Sequence, residues 1–144
     1  MNRAVAALAL LASLLGLTLA AVPASAATAS RAASVLAVAE TRAGDWYVYG
    51  AAGPSAFDCS GLVMWAERQE GISLPHSTYA MLASGLLVPT WHPAAGDLAF
   101  YGTGHVELVA RGHDVTFGAL NTGTRVGMHP WNGYWHPTMY FEVR

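Results

Sequence analysis

The type of secondary structure that the sequence favours changes once along the chain, near Pro93. Before Pro93, good helix formers with apolar residues at helical spacing predict three helices, at about 31–43, 60–70 and 77–85. After Pro93, short runs of aromatic and β-branched residues between glycine-containing turns predict strands at 98–101, 105–110, 115–119 and 139–143. Helices followed by strands predict the α+β class, with N-terminal helices packed on an antiparallel β-sheet.

The first 26 residues have the pattern of a secretory signal peptide. Arg3 precedes an almost unbroken apolar run over 4–22, and Ala24-Ser25-Ala26 supplies the small residues of a cleavage site. The alternative is an uncleaved membrane anchor, because the run approaches the roughly 20 residues that span a bilayer. We expect a signal peptide at 1–26, a short tether at 27–34 and one domain at 35–144. The cleaved product would be secreted or loosely associated with the cell surface, without stable membrane insertion.

The charge content argues against a nucleic-acid partner. The chain has 7 basic residues, all of them arginine, against 9 acidic residues, and its formal net charge is -2. The arginines are spread along the sequence, whereas phosphate binding needs concentrated positive charge. We therefore expect no nucleic-acid partner, and nothing in the sequence indicates the oligomeric state.

Cys59 is the single cysteine, so an exported form of this chain has no intramolecular disulfide. Such a thiol either packs as a small hydrophobe or is used for its reactivity. Asp58 is a good N-cap, which places Cys59 in the first turn of a predicted helix, where free N–H groups and the helix dipole favour the thiolate. Of the six histidines, His105 opens an apolar strand directly after a flexible turn, and a base there could face a cleft.

Four motifs follow one another along the chain. They are Tyr47-Val48-Tyr49-Gly50 with Phe57-Asp58-Cys59-Ser60-Gly61-Leu62, then Leu74-Pro75-His76-Ser77, then Pro93-Ala94-Ala95-Gly96-Asp97-Leu98, and Gly104-His105-Val106. In this order they resemble the motifs of the NlpC/P60 family of cell-wall cysteine peptidases, which implies that the exported protein is cell-wall associated or extracellular. The resemblance implies a papain-like fold and a catalytic domain at 35–144. It also implies a cysteine endopeptidase that cuts the stem peptides of peptidoglycan, usually at a γ-D-glutamyl bond to diaminopimelate or lysine.

The resemblance assigns roles to individual residues. Cys59 would be the nucleophile and His105 the general base that later protonates the leaving amine. The Cys59 N–H and the Tyr47 hydroxyl would face the oxyanion, although Tyr47 could equally be a half-buried core aromatic. Asp58 and Ser60 lie where the family holds the free amino end of the stem peptide, although Asp58 could equally be a plain N-cap. No cofactor or metal is implied.

The third catalytic residue departs from the family pattern. The family usually carries an orienting polar residue on the strand that returns after His105, but 114–120 offers none at that place. If the turn centres on Gly112-His113, pairing sets Glu107 opposite Gly118. We therefore predict that Glu107, two residues along the strand from His105, replaces the usual orienter. Asn121 is the rival, provided that a bulge turns it inward.

Other features leave alternatives open. His76 stands where the family often has arginine, so substrate preference could differ. The aromatics Trp91, Trp131, Tyr134 and Trp135 could line a groove, but core and rim packing is the simpler interpretation. A catalytically weak or inactive peptidoglycan-binding module on the same scaffold is the main alternative function. A metal-dependent hydrolase is weakly supported, because no paired ligand spacing appears among the histidines.

Overall fold

The structure is a computed structural model and describes residues 20–112 and 114–144. Its helices are α1 (Ala24–Glu40), α2 (Cys59–Gln69) and α3 (Thr78–Ala83). Its strands are β1 (Trp46–Tyr47), β2 (Ala56–Phe57), β3 (Leu87–Pro89), β4 (Leu98–Tyr101), β5 (His105–Val109), β6 (Val115–Gly118), β7 (Gly127–Pro130) and β8 (Met139–Val143).

Six strands form one antiparallel sheet in the order β3-β8-β4-β5-β6-β7, and the short strands β1 and β2 pair separately in parallel. Helix α2 packs against β5 and β6, while α1 packs against α2 and the same sheet. The predicted α+β class, with helices on an antiparallel sheet, is therefore confirmed. This packing brings the N-terminal end of α2 to the strand that begins at His105.

The core lies between the two long helices and the sheet. Its fully buried side chains include Val35, Leu36, Leu62, Val63, Leu98, Phe100, Val106 and Leu108. Burying a side chain of this size contributes about 1.5–3 kcal/mol relative to leaving it in water. The apolar positions of α2 and the alternating strands therefore fix the position of α2 on β5.

Helix α1 begins at Ala24, not at Arg31 as the sequence pattern predicted. The residues at 27–34, which we expected to form a tether, belong to this helix. The reason is local, because Pro23 fits the start of a helix and 24–34 contains neither glycine nor proline. Residues 1–19 of the predicted signal peptide lie outside the described residues. Across 20–112 and 114–144, no helix combines the length and apolar character needed to cross a membrane.

Four strands were not predicted from the sequence. The strands β1 and β2 have two residues each, and β3 has three, which is too short for a clear alternation. The strand β7 contains Gly127 and Pro130, which weaken a strand prediction. Proline is tolerated there because β7 forms an edge of the sheet. The omission of β7 matters, since this strand carries His129.

A buried carboxyl group lies near the C-terminal end of α2. Glu67 is 1% exposed, and its Oε2 has no hydrogen-bond partner among the described residues. Burial raises the pKa of Glu67 to about 7, while Arg31 opposes this shift and Glu70 and Asp97 add to it. The folded protein thus favours the protonated carboxyl group up to near-neutral pH.

We expect Glu67→Gln to remove a pH-dependent loss of stability. Because the pKa of Glu67 is higher in the folded state, its contribution to stability is present below about pH 4.5 and is lost as the pH rises through about 7. The melting temperature of the wild type should fall relative to Glu67→Gln between pH 5 and 8. The control is Glu40→Gln at a surface ion pair with Arg111. A constant difference between wild type and Glu67→Gln across this range would contradict the assignment.

Candidate active site

Cys59 is the first residue of α2, and Asp58 caps that helix. The Asp58 Oδ1 accepts a hydrogen bond from the Gly61 N–H at 2.7 Å, and its Oδ2 accepts one from the Gly50 N–H at 2.8 Å. A Cβ at Gly61 would lie 2.1 Å from the Ala51 carbonyl oxygen, so only glycine permits this approach of the loop to the helix. The cap and the glycine together hold the cysteine at the positive end of α2.

A groove of about 510 Å³ opens over this helix end. Its wall includes Tyr47, Asp58, Cys59, Ser60, His76 and His105, with Tyr79 and Leu120 among the others. Every one of the predicted site residues except Glu107 and Asn121 therefore faces one cleft. Glu107 lies beneath it, and Asn121 lines a neighbouring cavity.

His105 stands between Cys59 and a buried carboxylate. Its Nε2 donates to Glu107 Oε1 at 3.1 Å, which leaves Nδ1 as the ring nitrogen available to Cys59. Burial alone lowers the pKa of His105, but hydrogen bonds with Cys59 and Glu107 and the negative charge of both groups raise it to about 9. The site is thus arranged to favour the imidazolium form of His105 at neutral pH, beside the carboxylate of Glu107.

Glu107 is fully buried and occupies space that a side chain at position 118 would need. The observed pairs Leu108 with Phe117 and Val109 with Thr116 continue to Glu107 opposite Gly118, the register predicted from the sequence. The predicted turn includes His113, which lies outside the described residues. A Cβ at Gly118 would lie 2.5 Å from the Glu107 Cγ. The glycine therefore makes room for the carboxylate beside His105.

Two further side chains hold Glu107, and sequence reasoning missed both in this role. His129 on β7 donates from Nδ1 to Glu107 Oε1 at 2.7 Å, and Thr116 on β6 donates from Oγ1 to Oε2 at 2.5 Å. Because the hydroxyl hydrogen of Thr116 points to Glu107, the Tyr101 hydroxyl donates to Thr116 at 2.6 Å. Burial opposes ionisation of Glu107, but hydrogen bonds from His105, His129 and Thr116 and the charge of His129 keep the pKa of Glu107 below its ordinary value.

A sequence signal existed for one of these residues. Thr116 lies two residues before Gly118 on the same strand, so it shares the strand face that Gly118 presents to Glu107. His129 had no comparable signal, because its position follows from the pairing of β7 with β6, which sets His129 opposite Thr116. In the described part of the chain, no cluster of three or more His, Cys, Asp and Glu side chains could hold a metal ion.

Asn121, the rival orienter, lies after β6. Its backbone carbonyl accepts a hydrogen bond from Thr124 Oγ1 at 2.7 Å, and its side chain lines the second cavity. Among the described residues it is Glu107 that hydrogen-bonds the ring of His105. Glu107 can therefore orient His105 without a bulge that turns Asn121 inward.

The remaining predicted residues lie around Cys59. Burial, together with the nearby charges of Cys59 and Asp58, raises the pKa of Tyr47, so its hydroxyl keeps its proton and can donate. Asp58 Oδ1 also accepts a hydrogen bond from His76 Nε2 at 2.7 Å and a long one from Ser60 Oγ at 3.5 Å. Asp58 is therefore both a helix cap and part of the groove wall.

Residues 44–144 match the family model described as the NlpC/P60 family, and the chain belongs to this family. A protein named probable endopeptidase from Corynebacterium glutamicum (strain R) is 42% identical over 113 residues, which cover 74% of this chain and 53% of that protein. The chain thus spans about half the length of this relative.

Two solved structures share the fold. The NlpC/p60 domain of the peptidoglycan hydrolase SagA is 26% identical, with a TM-score of 0.68, and the match covers 78% of this chain and 98% of that domain. A form of the resuscitation promoting factor interacting protein RipA mutated at a glutamate is 27% identical, with a TM-score of 0.70. That match covers 85% of this chain and 65% of the RipA chain in that structure. These likenesses are consistent with the α+β architecture described above.

Proposed function

We propose that this protein is a cysteine endopeptidase that hydrolyses the stem peptides of peptidoglycan. The observation that carries the proposal is the alignment of Cys59, His105 and the buried carboxylate of Glu107 at the floor of an open groove. A nucleophile, a base and an orienting group in this order are what acyl transfer through an activated thiol requires. Membership of the NlpC/P60 family and the endopeptidase names of its relatives support the same activity.

The geometry supports a two-step mechanism. The Cys59 sulfur anion attacks the scissile carbonyl carbon, and the oxyanion accepts hydrogen bonds from the Cys59 N–H and the Tyr47 hydroxyl. Collapse of this intermediate breaks the C–N bond, and the His105 imidazolium gives its proton to the leaving amine. Neutral His105 then takes a proton from water, whose oxygen attacks the thioester and releases the acid and the thiolate. Glu107 orients the imidazole throughout.

For the substrate, we propose a γ-D-glutamyl bond to diaminopimelate or lysine as the site of cleavage. Asp58 and Ser60 at the helix end are the groups proposed to hold the free amino end of the stem. SagA, whose domain covers the same fold, is named a peptidoglycan hydrolase, which supports the substrate class. The N-terminal pattern at 1–26 supports export to the compartment where this polymer is found.

The competing function is a binding module that has lost activity with its orienting residue. No described contact favours it, because His105 has a carboxylate partner in Glu107. A test of the proposal is mass spectrometry of purified muropeptides incubated with wild type and with Cys59→Ala. We expect new fragments that define one stem-peptide bond with the wild type alone. Tight binding of muropeptides without any cleavage would contradict the proposal and support the binding module.

The pKa of His105 predicts an alkaline limit of activity. Because the hydrogen-bonded and charged partners raise it to about 9, kcat/KM should fall as the pH rises through about 9 and the imidazolium loses its proton. Glu107→Gln removes one of the negative charges beside His105, so the fall in kcat/KM should occur at lower pH in this variant. Glu142→Gln, on β8, is the control and should leave the pH of this fall unchanged. If kcat/KM falls at the same pH in Glu107→Gln as in the wild type, Glu107 does not act on His105.

A further inference from the structure

The carboxylate of Glu107 lies between two imidazole rings. Its Oε1 accepts hydrogen bonds from His105 Nε2 at 3.1 Å and from His129 Nδ1 at 2.7 Å. The side chain of Glu107 is 0% exposed, and those of His105 and His129 are 12% and 15% exposed. One buried oxygen therefore contacts both the ring that faces Cys59 and a second ring that the proposed mechanism does not use.

The contact between His129 and Glu107 crosses an intervening strand. Strand β6 separates β5 from β7, so the two backbones lie roughly 10 Å apart, twice the spacing of neighbouring strands. The burial pattern of β7 places His129 on the covered face of the sheet and leaves Met128 and Pro130 exposed. A Cβ at Gly118 on β6 would lie 2.5 Å from the Glu107 Cγ, so the Glu107 side chain lies over β6 at this glycine. Glu107 thereby comes within reach of β7.

The carboxylate needs an anchor on each of its oxygens. A glutamate side chain that nothing holds samples several rotamers. Thr116 donates to Oε2 at 2.5 Å, but one hydrogen bond does not fix the plane of a carboxylate. His105 cannot supply the second anchor, because its own orientation is what Glu107 has to fix. His129 supplies that anchor on Oε1, with the shorter of the two histidine contacts.

The same contact affects the charge of Glu107. Burial raises the pKa of Glu107, but hydrogen bonds from His105, His129 and Thr116 and the charge of His129 bring it below the ordinary value. Without a donor at position 129, this buried carboxyl group would have one partner fewer, and burial would favour its protonated form more strongly. A protonated Glu107 would stabilise the imidazolium form of His105 less well. The donor at position 129 therefore affects both the position and the charge of Glu107.

We propose that His129 is a positioning residue for the peptidase reaction, because its Nδ1 hydrogen bond holds the carboxylate of Glu107 against His105. This inference rests on the proposed function, since it assigns His129 to the same reaction. Removal of the Nδ1 donor should lower kcat by about 10 to 100-fold, because a displaced carboxylate misplaces the imidazole. KM should change little, since His129 does not line the groove that holds Cys59.

The test compares His129→Leu with His129→Asn. The asparagine Nδ2 is bonded to Cγ, as the histidine Nδ1 is, so His129→Asn restores a donor near the same place, and neither replacement carries a charge. We expect kcat to be at least about tenfold higher in His129→Asn than in His129→Leu. If His129→Leu does not fold, His129→Ala replaces it, because alanine removes the donor without adding bulk. The matched control is His136→Leu, at an exposed histidine outside the groove and the second cavity, and it should behave as wild type.

A double-variant cycle tests whether His129 acts through Glu107. In the Glu107→Ala background, His129→Leu should cause little further loss of kcat, because the carboxylate that His129 holds is absent. An equal loss with and without Glu107, a change confined to KM, or equal kcat values in His129→Leu and His129→Asn would overturn the inference. His129 would then act on the substrate directly or on the fold alone.

An NMR titration of the His105 ring without substrate separates this inference from the proposed function. The His105 ring should lose its proton at a lower pH in His129→Leu than in His129→Asn, because a displaced Glu107 stabilises the imidazolium less. Identical titrations of His105 in these two folded variants would overturn the inference. Failure of the wild type to cleave any peptide would instead count against the proposed function.

Discussion

Replacing either Cys59 or His105 with alanine is expected to lower kcat/KM for a stem peptide by about 10⁴ to 10⁶-fold. The two groups act as one catalytic unit: without the imidazole the sulfur lacks its proton-transfer partner, and without the sulfur the imidazole has nothing to activate. The double variant should therefore be about as slow as either single variant, not slower by the product of the two effects. Initial rates of peptide cleavage measure this directly.

The control for these substitutions is His92→Ala, because His92 is exposed and outside the groove. It should retain wild-type activity, and all variants should keep the wild-type circular dichroism spectrum. Multiplicative losses in the double variant would contradict the shared mechanism. Full activity in folded Cys59→Ala would rule out the cysteine as nucleophile.

The second large effect is expected at Glu107. Replacing it with glutamine should lower kcat by about 10² to 10⁴-fold with little change in KM, because the orienting group acts on His105 and does not touch the substrate. Gly118→Ala should lower kcat as well, since the added Cβ would lie 2.5 Å from the Glu107 Cγ and displace the carboxylate. Steady-state kinetics of both variants would show the kcat change.

An exchange of the two side chains distinguishes an orienting role from a structural one. In Glu107→Gly/Gly118→Glu, the carboxylate approaches the same space from the opposite strand and the total side-chain volume is retained. We expect at least tenfold more activity than in Glu107→Gly alone, with similar melting temperatures. A folded double variant that is no more active than Glu107→Gly would show that the position of the carboxylate is not what limits catalysis.

The local parts of the site were accessible from the sequence. The Asp58 cap and the helix that follows it depend on neighbouring residues, so Cys59 could be placed in the first turn of α2. The facing positions of Glu107 and Gly118 follow from the strict alternation of a hairpin. Both predictions required contacts between residues that are close in sequence or joined by one turn.

The remaining parts depend on contacts between distant segments. His129 reaches Glu107 only because β7 pairs with β6. The strand β7 was not predicted from the sequence because it contains a glycine and a proline. The high pKa of His105 results from Cys59 and Glu107, which outweigh the opposite effect of burial, and α2 has to pack on β5 before these groups meet. The start of α1 was misplaced because alanine, serine and threonine also suit an exposed tether.

The central claim is that the sulfur of residue 59 becomes covalently attached to one part of the substrate. The direct measurement is intact-protein mass spectrometry after rapid acid quenching of the enzyme with a slowly hydrolysed stem-peptide ester. A mass increase equal to the acyl fragment, mapped to Cys59 and absent in Cys59→Ala, is the result expected here. Turnover of that ester by wild type with no adduct at Cys59, or an equal rate in Cys59→Ala, would contradict the account.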